Sequence, residues 1–262
     1  MIDPKKILER EVLTEHFIPD HVFLYVATGT IHCYDGNKSY TFKAGEYGIA
    51  RKNRLARYKI ASEFFEPILF CFDEAFLRDF QEKHKATATH FKGQETFVKL
   101  KTTERIPGFI RSLKPYYDNV GKIDGAFEEV KYEELLIVLL QNEPELAGVF
   151  FDFGIPEKIN LEEFMNRHFT FNVKIDRLAF LTGRSLSGFK RDFKAVFNET
   201  PGRWLVQKRL KEAHFLMDKN NKKPSEIYLD LGFEDLSHFS FAFKKLFGLT
   251  PTQLIEGKHL NS

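Results

Sequence analysis

Cysteine is scarce in this chain, with only Cys33 and Cys71 among 262 residues. Two cysteines in separate apolar runs form neither a disulfide framework nor a Cys-x-x-Cys metal motif, and buried strand positions explain both. Long hydrophobic runs are also missing, because Leu135 to Leu140 is far shorter than the roughly 18 residues of a membrane span. The N-terminus lacks an apolar core with a cleavage site, so we expect no secretory signal. These absences predict a cytoplasmic protein without a membrane partner.

Net charge is small, at +2 from 39 basic and 37 acidic side chains. Residues 157–262 hold 18 of the basic and 13 of the acidic side chains, which gives this part +5 and leaves −3 for residues 1–156. The length is about twice that of a usual domain. We therefore expect two domains, 1–152 and 157–262, of which only the second meets a polyanion.

Short β-branched and aromatic segments, broken by turn residues, fill the chain from residue 12 to residue 72. This rhythm predicts an antiparallel β-sandwich or barrel, and thus an α+β fold class for the whole chain. The predicted strands are His21–Val26, Thr30–Tyr34, Ser39–Phe42, Tyr47–Ala50, Ala56–Ala61 and Pro67–Phe72, with a further strand at Thr96–Leu100.

Helical periodicity follows the strands, over Ala75–Phe80, Pro107–Tyr117 and Ala126–Leu140, with a short helix after Pro144. The apolar stripe from Leu135 to Leu140 has two interpretations: it forms a dimerisation surface, or it covers the core of the β-domain. We predict the first, a homodimer. The segment 152–156 is the predicted linker.

An internal repeat lies beyond the linker, where the segment 186–201 aligns with 236–251 at an offset of 50 and eight of sixteen positions are identical. Each copy has the pattern of a helix-turn-helix, over about 174–197 and 225–247. In the first copy Ala179, Gly183 and Phe189 provide close packing, the tight turn and the apolar lock between the helices. The predicted helix N-caps are Ser185, Asp235, Thr200 and Thr250.

Helical spacing separates two faces on the second helix of each unit. The predicted core face comprises Leu186, Phe189, Phe193, Val196 and Phe197, with Leu236, Phe239, Phe243, Leu246 and Phe247 in the second copy. The opposite face suits a major groove about 12 Å wide; a solvated face of an ordinary helical bundle is the alternative. The predicted DNA-contacting residues are Ser187, Lys190, Arg191 and Lys194 in the first unit and Ser237, His238, Ser240, Phe241 and Lys244 in the second. The stretch 202–219 is predicted to be one stiff connecting helix.

The C-terminal part resembles the DNA-binding domain of the AraC family of bacterial transcription regulators, over about residues 159–255. The matching residues are Leu178-Ala179, Gly183, Phe193-Lys194, Thr200-Pro201, Arg209-Leu210, Ala213, Ile227, Gly232-Phe233, Phe239-Ser240, Phe243-Lys244-Lys245, Gly248 and Thr250-Pro251. The resemblance implies base-facing positions at Ser187, Lys190 and Arg191, and at Leu236, Ser237, His238 and Phe241. Two departures are Tyr228, where the family has a small residue, and Phe241, where an arginine is common.

The N-terminal part resembles, through Gly29, Gly45-Glu46 and the strand rhythm, the cupin-like sensory domain of this family, in particular that of regulators of type III secretion genes. The resemblance implies a regulator that binds double-stranded DNA, with RNA polymerase as a partner if it activates transcription. Its effector is a small molecule or a partner protein.

Enzymatic motifs are missing, since the chain has no P-loop and no Gly-x-Ser-x-Gly. His16, His21 and His32 are too dispersed for the His-x-His pair of metal-binding cupins, although neighbouring strands could still bring two of them together. We therefore expect no enzyme, no metal and no cofactor. The rival hypotheses are a cupin-type enzyme with a helical appendage and a pure protein-interaction module.

Overall fold

Two antiparallel sheets and a short strand pair occupy the first half of the computed structural model, which describes residues 16–87, 91, 93–116, 123 and 125–259. The four-stranded sheet has the order β8-β2-β5-β9, the three-stranded sheet has the order β4-β3-β7, and β1 pairs with β6. The strands are β1 Phe17–Ile18, β2 His21–Thr28, β3 Thr30–Tyr34, β4 Ser39–Lys43, β5 Tyr47–Ala50, β6 Arg54–Leu55, β7 Arg57–Ile60, β8 Glu66–Phe72 and β9 Phe97–Lys99.

The two larger sheets share an apolar core, which confirms the predicted sandwich. Ile31 and Phe42 of the three-stranded sheet are buried in one cluster with Leu24, Val26 and Leu69 of the four-stranded sheet. Alternation along the strands places these side chains on the inner faces. The predicted strand 56–61 is wrong in its bounds, because Ala56 separates β6 from β7 and Ala61 lies beyond β7.

Helices cover the other face of the four-stranded sheet. They are α1 Glu74–His84, α2 Arg105–Leu113, α3 Gly125–Asn142 and α4 Ala147–Phe150, with 3-10 turns at Lys114–Tyr116 and Pro144–Leu146. Helix α2 ends earlier than predicted, because Pro115 has no N–H for a continuing helix. Tyr117, the predicted last residue of that helix, lies outside the described residues, as does the segment 1–15 for which no signal is expected.

The leucine stripe belongs to this core. Leu135, Leu136 and Leu139 are at most 1% exposed and pack in one cluster with Phe70 and Phe72 of β8. The second of the two interpretations therefore accounts for the stripe. A homodimer stays a prediction, without this stripe as its surface.

The second unit is helical and comprises residues 155–259 together with His16, so the division from residues 17–154 falls inside the predicted linker 152–156. Its helices are α5 Leu161–His168, α6 Ile175–Leu181, α7 Leu186–Phe197, α8 Pro201–Asn220, α9 Pro224–Ile227, α10 Leu236–Phe247 and α11 Pro251–His259. In the described ranges, no helix has the length and apolar character needed to cross a bilayer.

The three histidines considered for a metal site are dispersed in the structure. His16 belongs to the second unit, whereas His21 lies on β2 and His32 on β3. Across the described residues, no group of three or more His, Cys, Asp or Glu side chains is arranged to hold a metal ion.

Candidate nucleic-acid interface

The first helix-turn-helix consists of α6, a tight turn and α7. Gly183 takes φ +66°, and a Cβ there would lie 2.4 Å from the backbone carbon of Glu157, so a side chain is excluded by conformation and by space. Ser185 caps α7, because its hydroxyl accepts the backbone N–H of Gly188 at 3.2 Å. The turn and the cap are as predicted.

The second helix-turn-helix repeats this geometry with one extra residue. Gly232 takes φ +81°, and Asp235 caps α10 by accepting the N–H of His238 at 2.6 Å. The backbone bonds Gly183 to Phe180 and Arg184 to Ala179 recur as Gly232 to Leu229 and Phe233 to Tyr228, at an offset of 49. Since the following helices match at an offset of 50, the second turn is one residue longer. Helix α9 before it has only 4 residues, against 7 in α6.

The buried face of each second helix is narrower than predicted. Phe189, Phe193, Phe239 and Phe243 are fully buried. Four predicted core residues are exposed instead, which corrects the sequence-based assignment: Leu186 at 41%, Val196 at 48%, Leu236 at 38% and Leu246 at 39%. All four lie at the ends of α7 and α10, whereas the fully buried phenylalanines lie in the middle of each helix, where the neighbouring helices cover them.

The predicted contact residues lie on the outer faces. In α7, Ser187, Lys190, Arg191 and Lys194 are all exposed. In α10, Ser237, His238, Phe241 and Lys244 are exposed, and Ser240 is half-buried. Phe241, an apolar residue, is 70% exposed. The structure thus brings each predicted set together on one helix face.

A cluster of charges flanks the face of α7, and sequence reasoning missed it. Asp192 accepts from Arg184 Nε at 3.1 Å through Oδ2, and from Arg191 Nε at 3.3 Å and Nη2 at 3.1 Å through Oδ1. The hydrogen bonds from Arg184 and Arg191 hold the pKa of Asp192 below its ordinary value. A lone acid beside basic residues in an otherwise cationic helix was the available signal.

Helix α8 joins the two helix-turn-helix motifs through matched aromatic contacts. Trp204 packs on Phe193 and Phe197 of α7, with ring centroids 5.6 and 4.6 Å away. Ten residues later, His214 packs on Phe243 and Phe247 of α10, at 6.1 and 4.8 Å. The repeated phenylalanines therefore dock both second helices onto one rod.

Arg209, near the middle of α8, anchors this helix to both helix-turn-helix motifs. Its guanidinium donates to the carbonyl oxygens of Phe169 at 2.7 Å, Phe171 at 2.8 Å and Gly232 at 2.9 Å. These acceptors lie before α6 and in the second turn. Because the side chain is buried, the three bonds replace the hydration of its charge.

Two family models match the chain, one for each unit. The ExsA N-terminal regulatory domain matches residues 21–149, and a helix-turn-helix domain matches residues 178–257. The HTH-type transcriptional regulator ExsA of Pseudomonas aeruginosa is 28% identical over 131 residues, which are 49% of this chain and 47% of that protein. The chain thus spans about half the length of ExsA and of the VirF and LcrF regulators of Yersinia.

Longer but weaker similarities also occur. The HTH-type transcriptional activator RhaS of an Enterobacter species is 24% identical over 98% of this chain and 92% of its own length. The crystal structure of ToxT from Vibrio cholerae covers 93% of this chain and 91% of its own at 14% identity, with a TM-score of 0.42. That score supports no further conclusion.

A unit of antiparallel sheets that matches a regulatory domain is thus followed by a helical unit that matches a helix-turn-helix domain. Over both stretches the chain is similar to transcription regulators of the AraC family.

Proposed function

We propose that this protein is a sequence-specific regulator of transcription that places α7 and α10 in successive major grooves of double-stranded DNA. The repeated outer face carries the proposal: each unit caps its second helix, buries its phenylalanines and turns polar or cationic side chains outward. A helix with such a face fits the major groove, where Lys and Arg reach guanine edges and phosphates.

The connecting helix supports the proposed spacing. Helix α8 has 20 residues, which at 1.5 Å per residue is about 30 Å. Successive major grooves on one side of B-DNA are about 34 Å apart. The docking points Trp204 and His214 lie ten residues, or about 15 Å, apart on this stiff helix, which therefore holds α7 and α10 at a fixed separation, and we propose that this separation matches neighbouring grooves.

The two units have different roles in the proposed complex. In α7, Lys190 and Arg191 present long cationic side chains for base reading, together with Ser187 and Lys194. In α10, Phe241 offers an apolar ring for thymine methyl groups, while Ser237, His238, Ser240 and Lys244 offer phosphate contacts. We propose that the first unit reads bases and the second mainly anchors.

The N-terminal unit is proposed to be cupin-like and to modulate DNA binding rather than to catalyse a reaction. The match to the ExsA regulatory domain supports this role. Its proposed effector is a small molecule or a partner protein, and RNA polymerase is a proposed partner if the protein activates transcription. Phe127 and Val130 are exposed apolar residues on α3, and we propose that a homodimer forms through them.

Selection of bound duplexes from a randomised pool by the full chain tests the proposal. We expect a recovered site with two conserved segments about 10 base pairs apart, one per unit. The matched control is Lys190→Ala/Arg191→Ala, which removes the base-reading charges and abolishes one segment. Recovery of unrelated duplexes, with no preferred site, would contradict the proposed function and favour an enzyme or a protein-interaction module.

A further inference from the structure

We infer that Asp192 is a positioning residue that orients Arg191 for guanine, and this inference rests on the proposed function. The carboxylate stands beside an exposed cation of α7: the Arg191 side chain is 80% exposed, and that of Asp192 is 22% exposed. In the proposed complex, Asp192 itself makes no contact with a base. It acts through the guanidinium that it holds.

The hydrogen-bond geometry leaves the reading end of Arg191 free. A guanidinium has five N–H donors, one on Nε and two on each Nη. Asp192 Oδ1 accepts from Nε and Nη2, along one edge. Three donors remain, two on Nη1 and one on Nη2. They suffice for a bidentate bond to O6 and N7 of guanine.

The carboxylate is itself fixed. Its other oxygen, Oδ2, accepts from Arg184 Nε at 3.1 Å, and the Arg184 side chain is only 10% exposed. Arg184 is held in turn by the carbonyl oxygens of Thr182 at 2.6 Å and Ile159 at 3.0 Å. A chain of hydrogen bonds thus runs from the backbone of the first helix-turn-helix motif to Arg191. Lys158 also approaches Oδ2, at 3.5 Å.

Fixing the side chain before binding has a measurable value. An arginine that is already ordered loses less conformational freedom when it meets its base, and the cost per immobilised side chain is about 0.5–1.5 kcal/mol, or roughly two- to tenfold in binding. Without Asp192, the same arginine also reaches phosphates of any sequence. Its selectivity for guanine therefore decreases.

The test compares base preference in selections with the full chain carrying Asp192→Asn, Arg191→Ala or both. We expect Asp192→Asn to reduce, by about two- to tenfold, the preference at the position that Arg191→Ala abolishes. The double variant should match Arg191→Ala alone at that position. Asp192→Glu keeps the charge but displaces the carboxylate, and should reduce the same preference. Glu212→Gln on α8 makes the charge change of Asp192→Asn elsewhere and should leave the preference intact.

Several results would overturn the inference. One is an equal change of affinity for all duplexes with preference intact, which is the mark of a merely structural or electrostatic role. Another is a sharper preference in Asp192→Asn, which would mean that the carboxylate withholds Arg191. A third is an effect of Asp192→Asn that persists in the Arg191→Ala background. If the wild-type chain selects no site, the proposed function fails and this inference falls with it; circular dichroism melting of each variant verifies folding.

Discussion

Positions 191 and 241 occupy the same place in the repeated helices but carry side chains of opposite chemistry. A bidentate arginine–guanine contact discriminates between bases by about 1–3 kcal/mol, and an apolar contact to a thymine methyl should discriminate less. We therefore expect Arg191→Ala to relax preference in one half of the site, and Phe241→Ala to weaken binding with a smaller change of preference. Selection from randomised duplexes with each variant measures both. Loss of preference in Phe241→Ala alone would reverse the proposed roles.

His21 makes the stability of the N-terminal unit depend on pH. Burial first, and then the charges of Lys52, Arg51 and Arg54, lower its pKa from 6.5 to about 3. Its Nδ1 accepts the N–H of Lys52 at 3.3 Å, whereas Nε2 has no hydrogen-bond partner in the described part of the chain. The folded protein therefore keeps this ring neutral.

The direction of the effect follows from proton binding. Between pH 3 and 6.5 the unfolded chain protonates His21 and the folded chain does not, so the folded state loses stability as pH falls through this window. From pH 7.5 to 5.0 the loss should be about 2 kcal/mol. Denaturant unfolding of the wild type and His21→Leu at both pH values measures it. Equal pH dependence in the two proteins would refute the assignment to His21.

The outward residues of α7 and α10 could be predicted from the sequence because helical spacing alone places them. The exposure of the apolar residues at the ends of these helices could not be predicted. Leu186 and Val196 are apolar at helical spacing from the buried phenylalanines, and the sequence does not reveal how far the neighbouring helices reach around α7. The partnership of Arg184 with Asp192 depends on the turn conformation, which brings residues eight positions apart into contact.

Thr200 and Thr250 begin equivalent helices but cap them differently. Thr250 Oγ1 accepts the N–H of Gln253 at 3.2 Å, and the Gln253 side chain accepts the N–H of Thr250 at 2.8 Å, a reciprocal capping box. Thr200 is the N-cap residue of α8, as predicted, but its side chain makes no capping hydrogen bond.

This pair offers an internal comparison of helix capping. Thr250→Ala should lower the free energy of unfolding by about 1 kcal/mol, and Thr200→Ala by only a few tenths, since only the first loses a capping bond. Urea denaturation of the two variants beside the wild type measures the difference. Equal losses would show that the two caps contribute alike.

Element types were predictable where periodicity is strong. The strands at Thr30–Tyr34 and Tyr47–Ala50 have the predicted bounds, and α8 extends the predicted helix by one residue at each end. The extra residue of the second turn was not predicted, because the repeat was aligned on the following helices, where the offset of 50 holds. The departure noted at Tyr228 coincides with the short helix α9, which ends just before it.

Charge is unequally divided over the whole molecule, so added salt should weaken the proposed DNA binding by the basic helical unit. With Lys190, Arg191, Lys194, Lys244 and Lys245 exposed, about five phosphates would be neutralised. The slope of log K against log salt should then be about −4, a loss of roughly 10²–10³-fold between 50 and 200 mM.

Equilibrium binding at a series of salt concentrations measures this slope. Lys244→Ala, which removes a proposed phosphate contact, should make it shallower by about 1. The control Lys59→Ala removes the same charge from an exposed position on strand β7 of the N-terminal unit and should leave the slope unchanged. A nearly flat salt response of the wild type would contradict DNA binding through these faces.

The rod formed by α8 makes the chain intolerant of insertions in a way that substitutions would not reveal. One added residue between Trp204 and His214 would advance everything beyond it by 1.5 Å and rotate it by 100°. In the proposed complex, helix α10 would then face away from its groove, although every side chain of both helix-turn-helix motifs would be intact. Evolution can therefore exchange the residues of α7 and α10 to alter the site, but the number of residues between the two aromatic docking points is constrained by the pitch of DNA.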